Sequence, residues 1–106
     1  MAEQAIGVIG AGTMGSGIAQ LAVQYGFDVT IRDIDRDLVE QGLDDVRAGL
    51  EEAEERDIIA DADAAFERLD GTTEIADVAD RATFIVEAAP EEMEIKQSVF
   101  EELDAV

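Results

Sequence analysis

Several residue types are missing or scarce in this chain of 106 residues, and each absence excludes something. There is no cysteine, which excludes a disulfide framework and a thiolate metal site. There is no histidine, so any enzymatic interpretation must find its general base elsewhere. No apolar run approaches the ~18 residues that a membrane span needs, and no signal peptide pattern opens the chain. We therefore expect a cytoplasmic protein.

Basic residues are also scarce, which limits the partners that the chain can bind. Lysine and arginine together number 7 against 27 aspartates and glutamates, so the formal net charge is −20. Nucleic acids and anionic membranes are bound through basic patches, so neither is expected as a partner. An acidic disordered chain is the alternative, but apolar residues make up 47% of the sequence and recur periodically. We interpret the charge as a folded surface covered with carboxylates, typical of proteins from salt-loving organisms.

Apolar periodicity predicts the order of helices and strands. Strands are predicted at 5–9, 27–32 and 83–88, because these short runs are apolar and rich in β-branched residues. Helices are predicted at 14–25, from Asp35 as N-cap to about Arg56, and at 62–69.

Two further segments are interpreted from turn and cap residues. Residues 70–73 predict a turn that leads into a brief strand. Pro90 predicts the first turn of a last helix, with Val99, Phe100 and Leu103 on its buried face. The fold class expected is α/β, a Rossmann-type doubly wound, mainly parallel sheet, incomplete with about four strands, in one domain over residues 1–106.

A glycine-rich stretch lies between the first strand and the first helix. Its residues form the pattern GxGxxG: Gly10, Ala11, Gly12, Thr13, Met14 and Gly15. In such a pattern the first glycine allows a tight turn, the second lets backbone approach a pyrophosphate, and the third allows close packing of the helix. The helix amino terminus then offers free N–H groups to the phosphates. Gly17 lies outside the pattern and is expected only to aid packing.

An acidic residue follows the second strand at the position that a dinucleotide site requires. Asp33 lies eighteen residues after Gly15, where a carboxylate binds the hydroxyl groups of the adenosine ribose. A carboxylate there repels a 2′-phosphate, so the pattern favours NAD over NADP. The alternative is a glycine-rich turn beside a merely solvated Asp33.

Two stretches resemble the 3-hydroxyacyl-CoA dehydrogenase family, including its 3-hydroxybutyryl-CoA members. The first is GVIGAGTMGSGIAQLAVQYGFDVTIRD, from residue 7, and the second is FIVEAAPEEMEIKQSVFEELD, from residue 84. In a sheet of order 3-2-1-4, the strand at 83–88 lies beside the first strand, so Ala89, Pro90 and Glu91 face the glycine-rich loop.

The resemblance implies roles for three charged residues. Glu91 is expected to contact the nicotinamide-side ribose, and Lys96 to lie near the cofactor and a CoA substrate. The alternatives are an acid favoured by a helix amino terminus and an ordinary surface lysine. Arg56 falls about where the family has a basic residue that contacts CoA.

The family's reaction is the reversible oxidation of a 3-hydroxyacyl-CoA to the 3-ketoacyl-CoA, with a histidine base oriented by a glutamate and assisted by serine and asparagine. This sequence contains neither histidine nor asparagine. We therefore expect the NAD-binding N-terminal part of such an enzyme without its substrate domain, inactive alone, as a truncated, partial or split chain. The strand at 83–88 would then have a free edge, which predicts a homo-oligomer. The alternatives are a standalone NAD-binding module, or the NAD-binding region of a 3-hydroxyisobutyrate or 6-phosphogluconate dehydrogenase.

Overall fold

The computed structural model describes residues 5–88 and the backbone of residues 93–97. This part of the chain forms five strands and four helices. In chain order they are β1 (Ala5–Ile9), α1 (Thr13–Gln24), β2 (Asp28–Arg32), α2 (Arg36–Glu55), α3 (Ala62–Phe66), β3 (Leu69–Thr72), α4 (Ile75–Arg81), β4 (Phe84–Ala88) and β5 (Met93–Gln97).

The strands form one sheet in the order β3-β2-β1-β4-β5. The first three pairings are parallel, and only β5 runs antiparallel, beside β4. Val8 of β1 lies in register with Ile31 on one side and with Val86 on the other. This is the doubly wound, mainly parallel α/β sheet that the sequence predicts, with the expected order 3-2-1-4 for its four parallel strands.

Helices cover the two faces of the sheet unequally. On one face, α1, α2 and α3 bury a core that includes Val8, Ile31 and Leu50, all with no exposed surface. On the other face lies α4, whose Val78 packs so closely over Gly7 that a Cβ atom there would collide with it. None of the helices described over residues 5–88 combines the length and the apolar character that a membrane span requires.

The middle of the chain differs from the prediction in three respects. The helix expected over 62–69 ends at Phe66, residues 70–72 of the turn expected over 70–73 belong to strand β3, and helix α4 follows where the sequence predicts a brief strand. Residues typical of a turn form a strand here, because they pair with β2. Gly71 has no side chain and so leaves room for α2 to pack on this strand. A Cβ atom on Gly71 would lie 2.7 Å from Cγ1 of Val39.

The end of β4 also differs from the prediction. A helix was expected from Pro90, but residues 93–97 form strand β5. Their sequence, MEIKQ, alternates apolar with charged residues, which favours a strand. Because β5 pairs with the edge of β4, the expected free edge at 83–88 is wrong. The homo-oligomer no longer follows from that edge and stays a prediction. Residues 89–92 and 98–106, with Pro90, Val99, Phe100 and Leu103, lie outside the described part.

Candidate functional site

Two glycines of the loop between β1 and α1 are required by the fold itself. Gly10 has φ of +111°, which L side chains rarely adopt, and its Cβ atom would lie 2.7 Å from the carbonyl oxygen of Ala88. A Cβ atom on Gly15 would collide with the carbonyl oxygen of Gly10. These contacts agree with the tight turn and the close helix packing that the sequence predicts for these two positions.

Gly12 is different, because nothing in the described structure lies within 4 Å of the Cβ atom that it lacks. It is the N-cap of α1 and has an extended backbone with φ of −74° and ψ of −163°. A side chain at this position would point into open space, so the fold itself does not require glycine here. Gly17 also faces open space, so the expectation that it aids close packing is wrong.

The amino end of α1 has no negative charge. Helix α1 contains no charged residue over Thr13–Gln24, and no side chain caps it. Each of the other three described helices has an aspartate in its first turn: Asp37, Asp63 and Asp77. The N–H groups of the first turn have no partners within a helix. The amino end of α1 is therefore a positive region suited to phosphate.

Asp33 lies directly after β2 and contacts the glycine-rich loop. Its Oδ2 accepts a hydrogen bond from the N–H of Ala11 at 2.8 Å, and its Oδ1 accepts one from the N–H of Ile34 at 2.7 Å. On the other side, Ser16 Oγ donates to the carbonyl oxygen of Ala11 at 3.1 Å. The backbone of Ala11 is thus held from both sides, and the Asp33 carboxylate has lone pairs left for further donors.

An open cavity of about 690 Å³ lies between the loop, Asp33 and the end of β4. Its lining includes six of the predicted site residues and two that were not predicted, Leu38 and Ala88. The six are Gly10, Gly12, Thr13, Met14, Gly15 and Asp33. Ala88 could have been found from its place at the carboxyl end of the strand beside β1. Leu38 has a weaker signal, an apolar residue near the start of a helix that is otherwise rich in charge.

Of the remaining predicted site residues, Ala11 does not line this cavity. Ala89, Pro90 and Glu91 lie outside the described residues, although Ala88 immediately before them is at the cavity. The backbone of Lys96 pairs with Ile85, three residues before Ala88.

Arg56 is the C-cap that follows α2, and it forms an ion pair with Glu52 at 3.0 Å. The 20 residues of α2 put about 30 Å between this end and the cavity, at 1.5 Å per residue.

A second cavity of about 500 Å³ lies at the amino ends of the parallel strands. It is lined by the start of β2 and by charged residues that include Arg81 and Asp70, which pair at 2.8 Å. The glycine-rich loop and Asp33 lie at the opposite, carboxyl ends of the strands, so this cavity is separate from the candidate site.

The cavity beside the loop has features that suit the phosphates and the adenosine ribose of a dinucleotide. An acid-free helix amino end faces it, space is open at Gly12, and a carboxylate lies on the β2 side. In residues 5–88 no three side chains are grouped to hold a metal ion.

Comparison with known proteins decides the family. The model of the NAD-binding domain of 3-hydroxyacyl-CoA dehydrogenases matches residues 5–106. The chain belongs to this family. The resemblance seen in the sequence is thereby confirmed, and NAD is the cofactor of the domain, as expected.

Curated relatives match this chain over part of their own length. A probable 3-hydroxybutyryl-CoA dehydrogenase of Deinococcus radiodurans is 38% identical over 101 residues, which are 94% of this chain and 36% of that protein. A 3-hydroxybutyryl-CoA dehydrogenase of Bradyrhizobium diazoefficiens is 34% identical over 95% of this chain and 35% of its own length. The chain thus spans about a third of these relatives.

Solved structures agree with the fold. The (S)-3-hydroxybutyryl-CoA dehydrogenase of Ralstonia eutropha superposes with a TM-score of 0.76 and 32% identity, over 86% of this chain and 32% of that one. The 3-hydroxybutyryl-CoA dehydrogenase of Escherichia coli K12 gives a TM-score of 0.76 and 32% identity, over 87% and 20%. These family members therefore share the architecture of the described residues.

Proposed function

We propose that this chain binds NAD in the cavity beside the glycine-rich loop, with the pyrophosphate at the amino end of α1. The supporting observation is that α1, in a chain of charge −20, is the one described helix without an acidic first turn. The phosphate-binding residues in this proposal are Gly10, Ala11, Gly12, Thr13, Met14 and Gly15. The N–H groups of Gly10 and Ala11 already donate to Arg32 and Asp33. The attraction therefore comes from the N–H groups at the amino end of α1, those of Gly12, Thr13, Met14 and Gly15, together with the helix dipole.

The adenosine ribose is assigned to Asp33, whose two carboxylate oxygens are each fixed by one backbone N–H. Its negative charge also disfavours the 2′-phosphate of NADP. The nicotinamide half is assigned to the segment after β4, with Ala89, Pro90 and Glu91 beside the cofactor. Lys96 is proposed to lie near the cofactor on the same side.

The activity of the complete protein is proposed from its family. Its relatives are named 3-hydroxybutyryl-CoA dehydrogenases, so we assign it the interconversion of 3-hydroxyacyl-CoA and 3-ketoacyl-CoA. NAD supplies hydride acceptance in this chemistry. This chain contributes cofactor binding and orientation, and it contains no histidine to serve as base. The acyl-CoA substrate and the base both belong to the complete enzyme, so the chain by itself is assigned binding without turnover.

A fluorescence titration tests the proposed function. NADH and NADPH are each added to the purified chain in molar KCl, with circular dichroism as evidence that it is folded. We expect saturable binding of NADH and a dissociation constant for NADPH at least tenfold higher. Equal affinity for the two cofactors would contradict the assignment of the ribose to Asp33. Absence of NADH binding by the folded chain would contradict the site as a whole.

A further inference from the structure

Acidic residues are concentrated in the segment that joins β2 to the first turn of α2. Residues 33–37 read DIDRD, with three carboxylates and one arginine in five residues. Asp33, at the start of this segment, and Leu38, directly after it in α2, both line the cavity. A phosphate attached to the 2′ position of a ribose at Asp33 would therefore lie beside this segment and the start of α2.

The arginines of this region are already engaged. Arg36 forms an ion pair with Glu40, with Nη2 at 2.7 Å and Nε at 2.9 Å from the same carboxylate oxygen. Arg32 donates from Nε to the carbonyl oxygen of Thr73 at 3.1 Å. Each guanidinium thus already has an acceptor of its own, and neither arginine lines the cavity.

Two aspartates also change the charge of the α2 amino end. Asp35 is the N-cap, and its Oδ1 accepts a hydrogen bond from the N–H of Asp37 at 3.0 Å. Asp37 itself lies in the first turn. An uncapped helix amino end attracts phosphate, as at α1, but here one N–H is already satisfied and two full negative charges are added.

We propose that Asp35 is a second determinant of cofactor choice, which repels the 2′-phosphate of NADP independently of Asp33. This inference rests on the proposed function, because it requires the adenosine ribose to lie at Asp33. The proposal also predicts that a chain in which only Asp33 is neutralised still prefers NAD to NADP. The repulsion acts through solvent at an exposed site, so it weakens as salt shortens the Debye length.

Paired variants of this chain test the proposal. Asp33→Asn is the common background, because asparagine retains one side-chain acceptor for the loop. Asp35→Asn is then added, which keeps an N-cap acceptor and removes one charge. The matched control adds Asp61→Asn instead. Asp61 is the N-cap of α3 and accepts from the N–H of Ala64 at 3.1 Å, so the chemical change and the change in net charge are identical.

The ratio of the NADPH and NADH dissociation constants is measured for each variant at the lowest KCl concentration that maintains the fold. We expect Asp35→Asn to lower this ratio by about threefold or more relative to the background, and Asp61→Asn to leave it unchanged. In molar KCl the two double variants should converge.

Other outcomes separate the inference from the function on which it rests. If NADH binds but Asp35→Asn does not change the ratio, or if Asp61→Asn changes it equally, Asp35 has no specific role. If the folded wild-type chain does not bind NADH, the proposed function fails and this inference fails with it.

Discussion

The N–H of Ala11 donates a hydrogen bond to Oδ2 of Asp33 at 2.8 Å, across 22 residues of sequence. This bond joins the glycine-rich loop to the end of the neighbouring strand. A second connection is parallel to it, because the N–H of Gly10 donates to the carbonyl oxygen of Arg32 at 2.7 Å. The glycine-rich loop and the carboxylate at the end of β2 are therefore held together as one unit by the protein itself.

Removing the Asp33 carboxylate should loosen the loop as well as weaken cofactor binding. Asp33→Ala leaves the half-buried N–H of Ala11 without its acceptor, which costs roughly 1–2 kcal/mol of unfolding free energy. Amide hydrogen exchange at Ala11, followed by NMR, should become faster. Asp33→Asn is the matched control and should retain most of the protection. Unchanged exchange in Asp33→Ala would show that the bond does not hold the loop.

Substitution of Gly12 should separate binding from folding. Because no described atom lies within 4 Å of its missing Cβ atom, Gly12→Val is expected to fold normally. Its side chain should keep the pyrophosphate away from the backbone and raise the dissociation constant of NADH at least tenfold, about 1.4 kcal/mol. Gly17→Val, also in open space, is the control and should bind NADH as the wild type does. An unchanged affinity in Gly12→Val would contradict the assignment of the loop.

Gly15 should behave in the opposite way, because its substitution affects the fold. A Cβ atom there collides with the carbonyl oxygen of Gly10, a backbone atom in a constrained loop. We expect Gly15→Ala to lower the free energy of unfolding by about 1–3 kcal/mol. Gly17→Ala, in the same helix, should raise it by up to ~1 kcal/mol through helix propensity. Urea unfolding measures both, and equal effects of the two substitutions would exclude the collision.

Most of the parallel sheet, and the glycine-rich part of the candidate site, can be predicted from local sequence patterns. The apolar runs at β1, β2 and β4 and the glycines between Gly10 and Gly15 each act within a few residues, so the sequence reveals them. Strand β3 does not follow from such a pattern. Its residues LDGT favour a turn in isolation, and they form a strand because β2 and α2 surround them. Leu38 is missed at the cavity for the same reason, since only the packing of α2 brings it there.

An assay of enzymatic turnover tests whether the chain can catalyse the family's reaction without a histidine. With no histidine in the sequence, no base of the family's type can accept the hydroxyl proton. We expect no reduction of NAD when 3-hydroxybutyryl-CoA is supplied, even where NADH titration shows a competent site. Absorbance at the NADH band measures the rate, and a complete family enzyme is the positive control. Measurable turnover that scales with chain concentration would refute the requirement for that histidine.

Salt should strengthen both folding and cofactor binding. The ion pairs described within residues 5–88 are at the surface, where each contributes ~0–1 kcal/mol, so they do not offset a net charge of −20. Raising KCl from 0.1 M to 1 M shortens the Debye length from ~10 Å to ~3 Å. Distant repulsion between the protein and NADH is screened before the close attraction at α1.

A KCl series of NADH titrations, with circular dichroism at each point, measures the two effects separately. We expect the affinity for NADH to rise with salt, and the negative far-ultraviolet ellipticity to increase in magnitude as more of the chain folds. If affinity falls with salt while the fold stays intact, attraction by a basic patch would have to dominate, contrary to the charges described.

The cavity is assembled from three distant parts of the chain: the loop after β1, Asp33 after β2 and Ala88 at the end of β4. No one of these segments forms it alone, so a bound cofactor reports on the packing of β1, β2 and β4 against one another. Occupancy should then act as a stabiliser of the entire domain, by ~2.7 kcal/mol at a free ligand concentration one hundred times the dissociation constant. In a protein whose surface charges oppose compaction, the supply of cofactor in the cell would help to decide how much of the chain is folded.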